Sequence, residues 1–286
     1  MASLDLREAW SDLLRRRGTL ADSLRPYGEA LDLWATAPVD IAPLGWPAAE
    51  CRRRWERGVP LLAEAPPALE PEALERILGP LMELVATAIG SPVAAGLAAF
   101  AEAWDAHQIA PADLFPGQGR IGSVDERLAV EPDLVAFIAL GTLRPWLQAY
   151  FARCHGQLGD GEWFLGVCPF CGAPPGFSDL VEDGRRRLAC HLCGGAWIVP
   201  RLACPFCGAD DTKDAVRLEP QGTDQGYLIA ACRRCQAYLK ELDRRVRWNG
   251  GPGLVEDWGS PHFDLVARRS GYWRAVPTLL SLTQRS

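Results

Sequence analysis

Apolar residues recur at helical spacing through the first half of this chain and give way to short β-prone runs in the second. Leu74, Ile77, Leu78, Leu81 and Leu84 stand three or four positions apart, which puts them on one face of a helix and turns that face toward a core. Residues 1 to about 155 read as helical, rich in Ala, Leu and Glu and punctuated by proline. Helix starts are legible at Ser91-Pro92 ahead of 93–104, at Ser123 with Glu126 as a capping box, and at Pro132 ahead of 133–154. Pro80 and Pro145 fall inside such runs and are expected to kink or divide them. The proline-rich stretch 36–71 reads as loops between short helices.

From Gly161 the texture changes. Runs at 163–167, 187–189, 196–199 and 227–231, broken by Gly, Pro and Asp, read as strands of small ribbons. Residues 257–281 then return to an apolar, helical tail. The expectation is an α+β protein with a helical domain at 1–160, rubredoxin-like or zinc-ribbon metal modules at 161–201 and 202–254, and a tail at 255–286.

Four copies of Cys-x2-Cys carry the candidate chemistry, at Cys168/Cys171, Cys190/Cys193, Cys204/Cys207 and Cys232/Cys235. Such a turn aims two sulfurs at one point, and two turns supply the four thiolates of a tetrahedral ion. The first three continue into glycine, which lets the backbone fold beneath the metal, and the first and third carry proline between the ligands. The fourth, Cys232-Arg-Arg-Cys235-Gln, has neither, so its turn is the least secure. The first and second pairs enclose 18 residues and the third and fourth 24, while 10 separate the second from the third. Sequential modules fit this spacing, and interleaved ligation stays open. Four regular repeats argue against a disulfide framework, and tetrahedral sulfur suits both iron and zinc. Large aliphatic residues are few over 168–250, so metal is expected to supply much of the folding energy there.

Composition narrows the function. A length of 286 residues points to two or three domains. No run reaches the about 18 uncharged apolar residues of a membrane span. Arg15-Arg16-Arg17 precedes a polar stretch rather than the hydrophobic region of an export signal, so a cytoplasmic location is expected, where thiols stay reduced. Residues 168–250 hold 12 Lys and Arg against 10 Asp and Glu, a formal +2 that eight metal-bound thiolates would erase. Nucleic-acid binding, which wants a basic excess, is therefore not expected. His107, His155, His191 and His262 are scattered, and no Ser or Cys lies in a nucleophile motif, so the chain is not read as an enzyme. His191 is a spacer in its knuckle, Cys51 and Cys154 stand alone as buried fillers, and Trp248, Trp258 and Trp273 read as core or domain-contact anchors.

The helical half, the Cys-Pro-x-Cys-Gly signature, the run Cys235-Gln-Ala-Tyr-Leu-Lys-Glu-Leu-Asp and the run His262-Phe-Asp-Leu-Val-Ala-Arg-Arg-Ser-Gly-Tyr272 resemble the formate dehydrogenase accessory (formation) protein family, FdhE. The likeness is most specific over 163–272. It implies a cytoplasmic accessory factor with two rubredoxin-like iron sites on Cys168, Cys171, Cys190, Cys193, Cys204, Cys207, Cys232 and Cys235. It also implies contact with the catalytic subunit of a respiratory formate dehydrogenase exported by the twin-arginine route. Gln236, where the knuckle glycine is missing, departs from the rubredoxin pattern. Two other readings remain, a rubredoxin-like electron carrier and a nucleic-acid-binding zinc ribbon.

Overall fold

The computed structural model describes residues 6–117, 119–219 and 224–283. Its helical half comprises α1 (Leu6–Arg16), α2 (Ala21–Thr36), α3 (Ala48–Trp55), α4 (Leu61–Glu64), α5 (Pro71–Ile89), α6 (Ser91–Asp105), α7 (Asp125–Leu128) and α8 (Pro132–Tyr150). The apolar stripe of α5 is buried through Leu74, Ile77, Leu78, Leu81 and Val85, with Leu84 half-buried at its margin. Helix α8 is buried on nearly every side and forms the centre of the core. A Cβ on Gly141 would lie 2.4 Å from Leu81 Cδ2, so α5 and α8 approach closely because α8 has no side chain there.

Neither internal proline divides its helix. Pro80 and Pro145 lie within single helices. Pro145 has no N–H to give the carbonyl of Gly141, and the Trp34 indole N–H of α2 donates to that oxygen instead, at 2.7 Å. The capping box at Ser123 and Glu126 does not form. Helix α7 begins at Asp125, and Ser123 Oγ donates to the Asp113 carbonyl, 3.5 Å away. Helix α6 starts at Ser91 as the sequence indicates, with Gly90 rather than Ser91 in the cap position.

The second half forms one six-stranded sheet from β1 (Phe177–Leu180), β2 (Arg186–Ala189), β3 (Ala196–Val199), β4 (Ala215–Leu218), β5 (Tyr227–Cys232) and β6 (Tyr238–Asp243), in the order β3-β2-β1-β6-β5-β4. Two antiparallel three-stranded units thus stand side by side, joined by the parallel pair β1 and β6 with Ser178 opposite Glu241. Polar side chains fasten this seam. Glu241 accepts from Ser178 Oγ at 2.7 Å and pairs with Arg186 at 2.9 Å, while Asp179 pairs with Arg187 at 2.8 Å and Arg244 at 2.6 Å.

The expected strand at 163–167 is absent. That segment turns irregularly between Gly161 and Gly166, held by the Trp163 indole donating to the Val167 carbonyl at 2.8 Å and the Trp197 indole to the Leu165 carbonyl at 3.0 Å. Its Gly166 lies so close to the Pro205 carbonyl that any Cβ would overlap it.

Helices α9 (Gly253–Trp258) and α10 (Pro261–Arg269) fold the tail back on both halves. Trp258 packs on Tyr27 and Trp34, with ring centroids 4.9 and 5.3 Å apart, as an anchor between elements. Trp248, by contrast, is 81% exposed in a turn with no element above it, and Trp273 is half-exposed beside the fourth cysteine pair, so neither is a core anchor. Residues 1–5 of the amphipathic N-terminal segment lie outside the described residues. No described helix is long and apolar enough to cross a membrane.

Candidate metal centres

All four Cys-x2-Cys pairs adopt one backbone turn. The N–H of the residue after the second cysteine returns to the carbonyl of the first: Gly172 to Cys168 at 2.9 Å, Gly194 to Cys190 at 3.1 Å, Gly208 to Cys204 at 2.9 Å and Gln236 to Cys232 at 2.9 Å. The first cysteine of each pair then donates its own N–H to the residue five positions on, Ala173, Gly195, Ala209 or Ala237, at 2.8–2.9 Å. This turn needs a positive φ, and the three glycines adopt +79°, +76° and +71°. Gln236 takes +59° in the same place, so the fourth knuckle closes without its glycine, and the Gln236 amide donates to the Arg233 carbonyl at 2.6 Å.

The turns meet in sequence, first with second and third with fourth. Cys168, Cys171, Cys190 and Cys193 form one group of four that can hold a metal ion, and Cys204, Cys207, Cys232 and Cys235 form the other. Within the first group the sulfurs of Cys168 and Cys193 and of Cys171 and Cys190 are 3.5 Å apart. In the second, Cys204 to Cys235 and Cys207 to Cys232 are 3.7 Å apart. A tetrahedron of sulfurs at about 2.3 Å from a central ion has edges of about 3.8 Å. Both groups fit such an ion.

The surroundings of the two clusters differ. The first belongs to the main core, its four cysteines buried alongside Phe170, whose ring touches Trp55, Phe151 and His155 at centroid distances of 5.9, 6.3 and 4.7 Å. Helix α4 grips its first knuckle through Leu61 N–H to the Pro169 carbonyl at 3.1 Å and Leu62 N–H to Phe170 at 2.8 Å. The second cluster is more open. Cys207 is exposed, and Cys204 and Cys235 are half-buried. Trp273 leans over it, donating its indole N–H to the Cys235 carbonyl at 2.7 Å and touching Phe206 with centroids 6.0 Å apart.

Burial pushes the Cys168 and Cys171 thiols well above their ordinary value. It opposes ionisation of Cys193 too, but hydrogen bonds from Cys168, Cys171, Cys190 and His155 outweigh it and hold that thiol well below its ordinary value. A metal taking four thiolates must displace the protons that these buried thiols hold. In the second cluster burial raises Cys204, while the Ala209 N–H and neighbouring sulfurs overcome the burial of Cys207 and lower it.

Residues other than the eight cysteines fall into place around the first cluster. His191 is 1% exposed and belongs to neither group of four, its Nδ1 lying 3.5 Å from Asp257 Oδ2. Burial, with Arg274, Arg144 and Lys240 nearby, outweighs Asp257 and lowers its pKa to about 3, so the ring is neutral. Cys51 and Cys154 are buried as expected, yet they do not stand alone: the two thiols meet, and burial together with Cys51 pushes Cys154 up to about 12. No spacing within the sequence links positions 51 and 154.

Sequence reasoning missed a buried ion cluster under the sheet. Lys240 Nζ of β6 lies 2.8 Å from Asp257 and 2.9 Å from Asp264, and Arg274 lies 2.9 and 2.7 Å from the same two carboxylates. Tyr238 donates to Asp264 at 2.6 Å. The signal lay in the runs after Cys235 and His262, where Lys240, Glu241 and Asp264 turn inward rather than to solvent.

No family model matches the chain. It is similar to the FdhE homologue of Stutzerimonas stutzeri, 31% identical over 157 residues, and to that of Aquifex aeolicus, 29% identical over 150; each match takes in about half of this chain and half of the relative. The chain thus spans about half the length of these first relatives. Against the homologue of Pseudomonas putida, 26% identity extends over 96% of this chain and 86% of the relative. The crystal structure of the FdhE protein from Pseudomonas aeruginosa shares the fold, with a TM-score of 0.61 over 96% of this chain and 94% of that one, at 21% identity. The chain is thus similar to FdhE homologues in sequence and shares its fold with an FdhE protein over nearly its whole length.

Proposed function

We propose that this protein is a non-catalytic accessory factor in the formation of a respiratory formate dehydrogenase, acting in the cytoplasm on the catalytic subunit before its export. The eight clustered cysteines hold two metal ions, one on Cys168, Cys171, Cys190 and Cys193 and the other on Cys204, Cys207, Cys232 and Cys235. The metal is iron in a low-oxygen cell. The observation that carries this reading is the pair of four-sulfur clusters, braced by one sheet, in a chain similar to FdhE homologues. A rigid, metal-braced platform with exposed loops suits recognition better than catalysis. The end of the sheet that carries Cys207 and Trp273 is the face we assign to the client.

Iron bound by four thiolates cycles between ferrous and ferric, whereas zinc has no redox chemistry. The exposure of Cys207 favours a second reading, in which the outer centre carries electrons to or from the client. Protein purified without oxygen from its own host is expected to be reddish, with thiolate-to-iron absorption that bleaches on reduction. Colourless, zinc-filled protein from the same preparation would favour purely structural centres. A pull-down under reducing conditions is expected to recover the catalytic subunit, and deleting the protein to abolish formate oxidation. A folded chain that does not bind the subunit, with formate oxidation intact after deletion, would overturn the reading.

A further inference from the structure

Helix α8 sends an arginine into the wall of the first cysteine cluster. Arg144 is 4% exposed, and its Nη1 donates to the carbonyl of His191, the residue after Cys190. Its Nη2 lies 3.8 Å from where a Cβ on Gly194, the residue after Cys193, would stand. The guanidinium carbon lies 5.2 Å from the centre of the Trp34 ring. Its Nε finds no hydrogen-bond partner, and among the described residues no carboxylate lies within ion-pair distance of it. The other arginines with buried side chains rest on carboxylates, Arg186 on Glu241 and Arg274 on Asp257 and Asp264.

A guanidinium keeps its charge in a protein, and an ion buried without a counter-charge is strongly destabilising. Through the His191 carbonyl and the Gly194 position, the Arg144 guanidinium lies against the knuckle that carries Cys190 and Cys193, whose thiolates become its nearest source of negative charge once a metal is bound. Four thiolates around a divalent ion carry a formal charge of about −2, and around a trivalent ion about −1. We infer that Arg144 is the counter-ion of the metal-loaded first centre, a positioning residue through which the helical half sets that centre's affinity. This rests on the reading of the eight cysteines as metal ligands. The second centre differs, because water reaches Cys207 and can screen its charge.

The test uses the full chain carrying Arg144→Gln or Arg144→Lys, loaded with zinc, competed against a chelator and read by mass spectrometry of alkylated cysteines, which reports each centre separately. Outer-shell partners of metal sites change affinity by about 10–100-fold. Arg144→Gln is expected to weaken zinc at Cys168, Cys171, Cys190 and Cys193 by at least about ten-fold. Affinity at the second centre stays unchanged, and Arg144→Lys recovers part of the loss at the first. A folded Arg144→Gln protein with wild-type affinity at the first centre overturns the inference. Should Arg144→Gln fail to fold, a cycle in a chain with all four first-cluster cysteines changed to serine decides. There Arg144 has lost its counter-charge, so Arg144→Gln raises the melting temperature; a fall overturns the inference and makes Arg144 a packing residue. Failure of the wild-type chain to bind zinc or cobalt at either cluster would instead refute the metal reading itself.

Discussion

Gln236 shows how a single residue can depart from a motif without breaking it. In the left-handed region a side chain costs about 1–2 kcal/mol relative to glycine, and the Gln236 amide offsets part of this by bonding Arg233. Gln236→Gly should therefore change stability by no more than about 1 kcal/mol. Gln236→Val, β-branched at a positive φ and without the amide, should weaken metal binding at the second cluster while sparing the first, as a cobalt titration would show. Lys240 is the opposite case, a residue whose neighbours permit no substitute. Lys240→Met leaves Asp257 and Asp264 buried with Arg274 as their remaining cation, at a cost of about 3–5 kcal/mol measurable by urea unfolding.

The same ion cluster fixes a pH dependence. Burial would raise the Asp257 carboxyl, but Arg274 and Lys240 outweigh it and hold the group far below its ordinary 3.8. A depressed carboxyl contributes stability that is complete above its unfolded value and is lost as pH falls through the folded one. The urea midpoint should thus fall as pH drops below 3.8, and Asp257→Asn should lack that component.

At the scale of elements, β2, β3 and β5 were legible because their apolar residues sit between breakers, whereas β1, β4 and β6 were not. Strand β1 is Phe-Ser-Asp-Leu and is buried at every position; β6 buries Lys240 and Glu241. Their polar residues pair across the seam and beneath the sheet, so partners distant in sequence satisfy what a local pattern assigns to solvent. The run at 163–167 failed in the opposite way, being apolar enough for a strand but without a partner strand. The unbroken α8 has a similar cause, since Trp34 satisfies the carbonyl that Pro145 leaves free. Trp34→Phe keeps a ring there and removes only the N–H, so it should cost about 1–3 kcal/mol in thermal or urea unfolding. A loss below a few tenths of a kcal/mol would mean that the Gly141 carbonyl is satisfied another way.

On the scale of the whole molecule, the sequence showed both knuckle modules but not their inequality. Spacing favoured sequential pairing of the cysteines but left interleaving open, and the two four-sulfur groups are sequential. That one cluster lies in the core of the helical half while the other reaches solvent depends on α4, α8 and the aromatic residues packed on Phe170, far away in the chain. The central claim is that each cluster binds its own metal ion. Its most direct measurement is the metal content per chain of three full-length proteins prepared under reducing conditions: wild type, Cys168→Ser/Cys171→Ser, and Cys204→Ser/Cys207→Ser. Sequential four-sulfur centres predict about two ions in the wild type and about one in each folded variant, retained by the untouched cluster. One ion in the wild type, or loss of both ions from either folded variant, would contradict two independent centres.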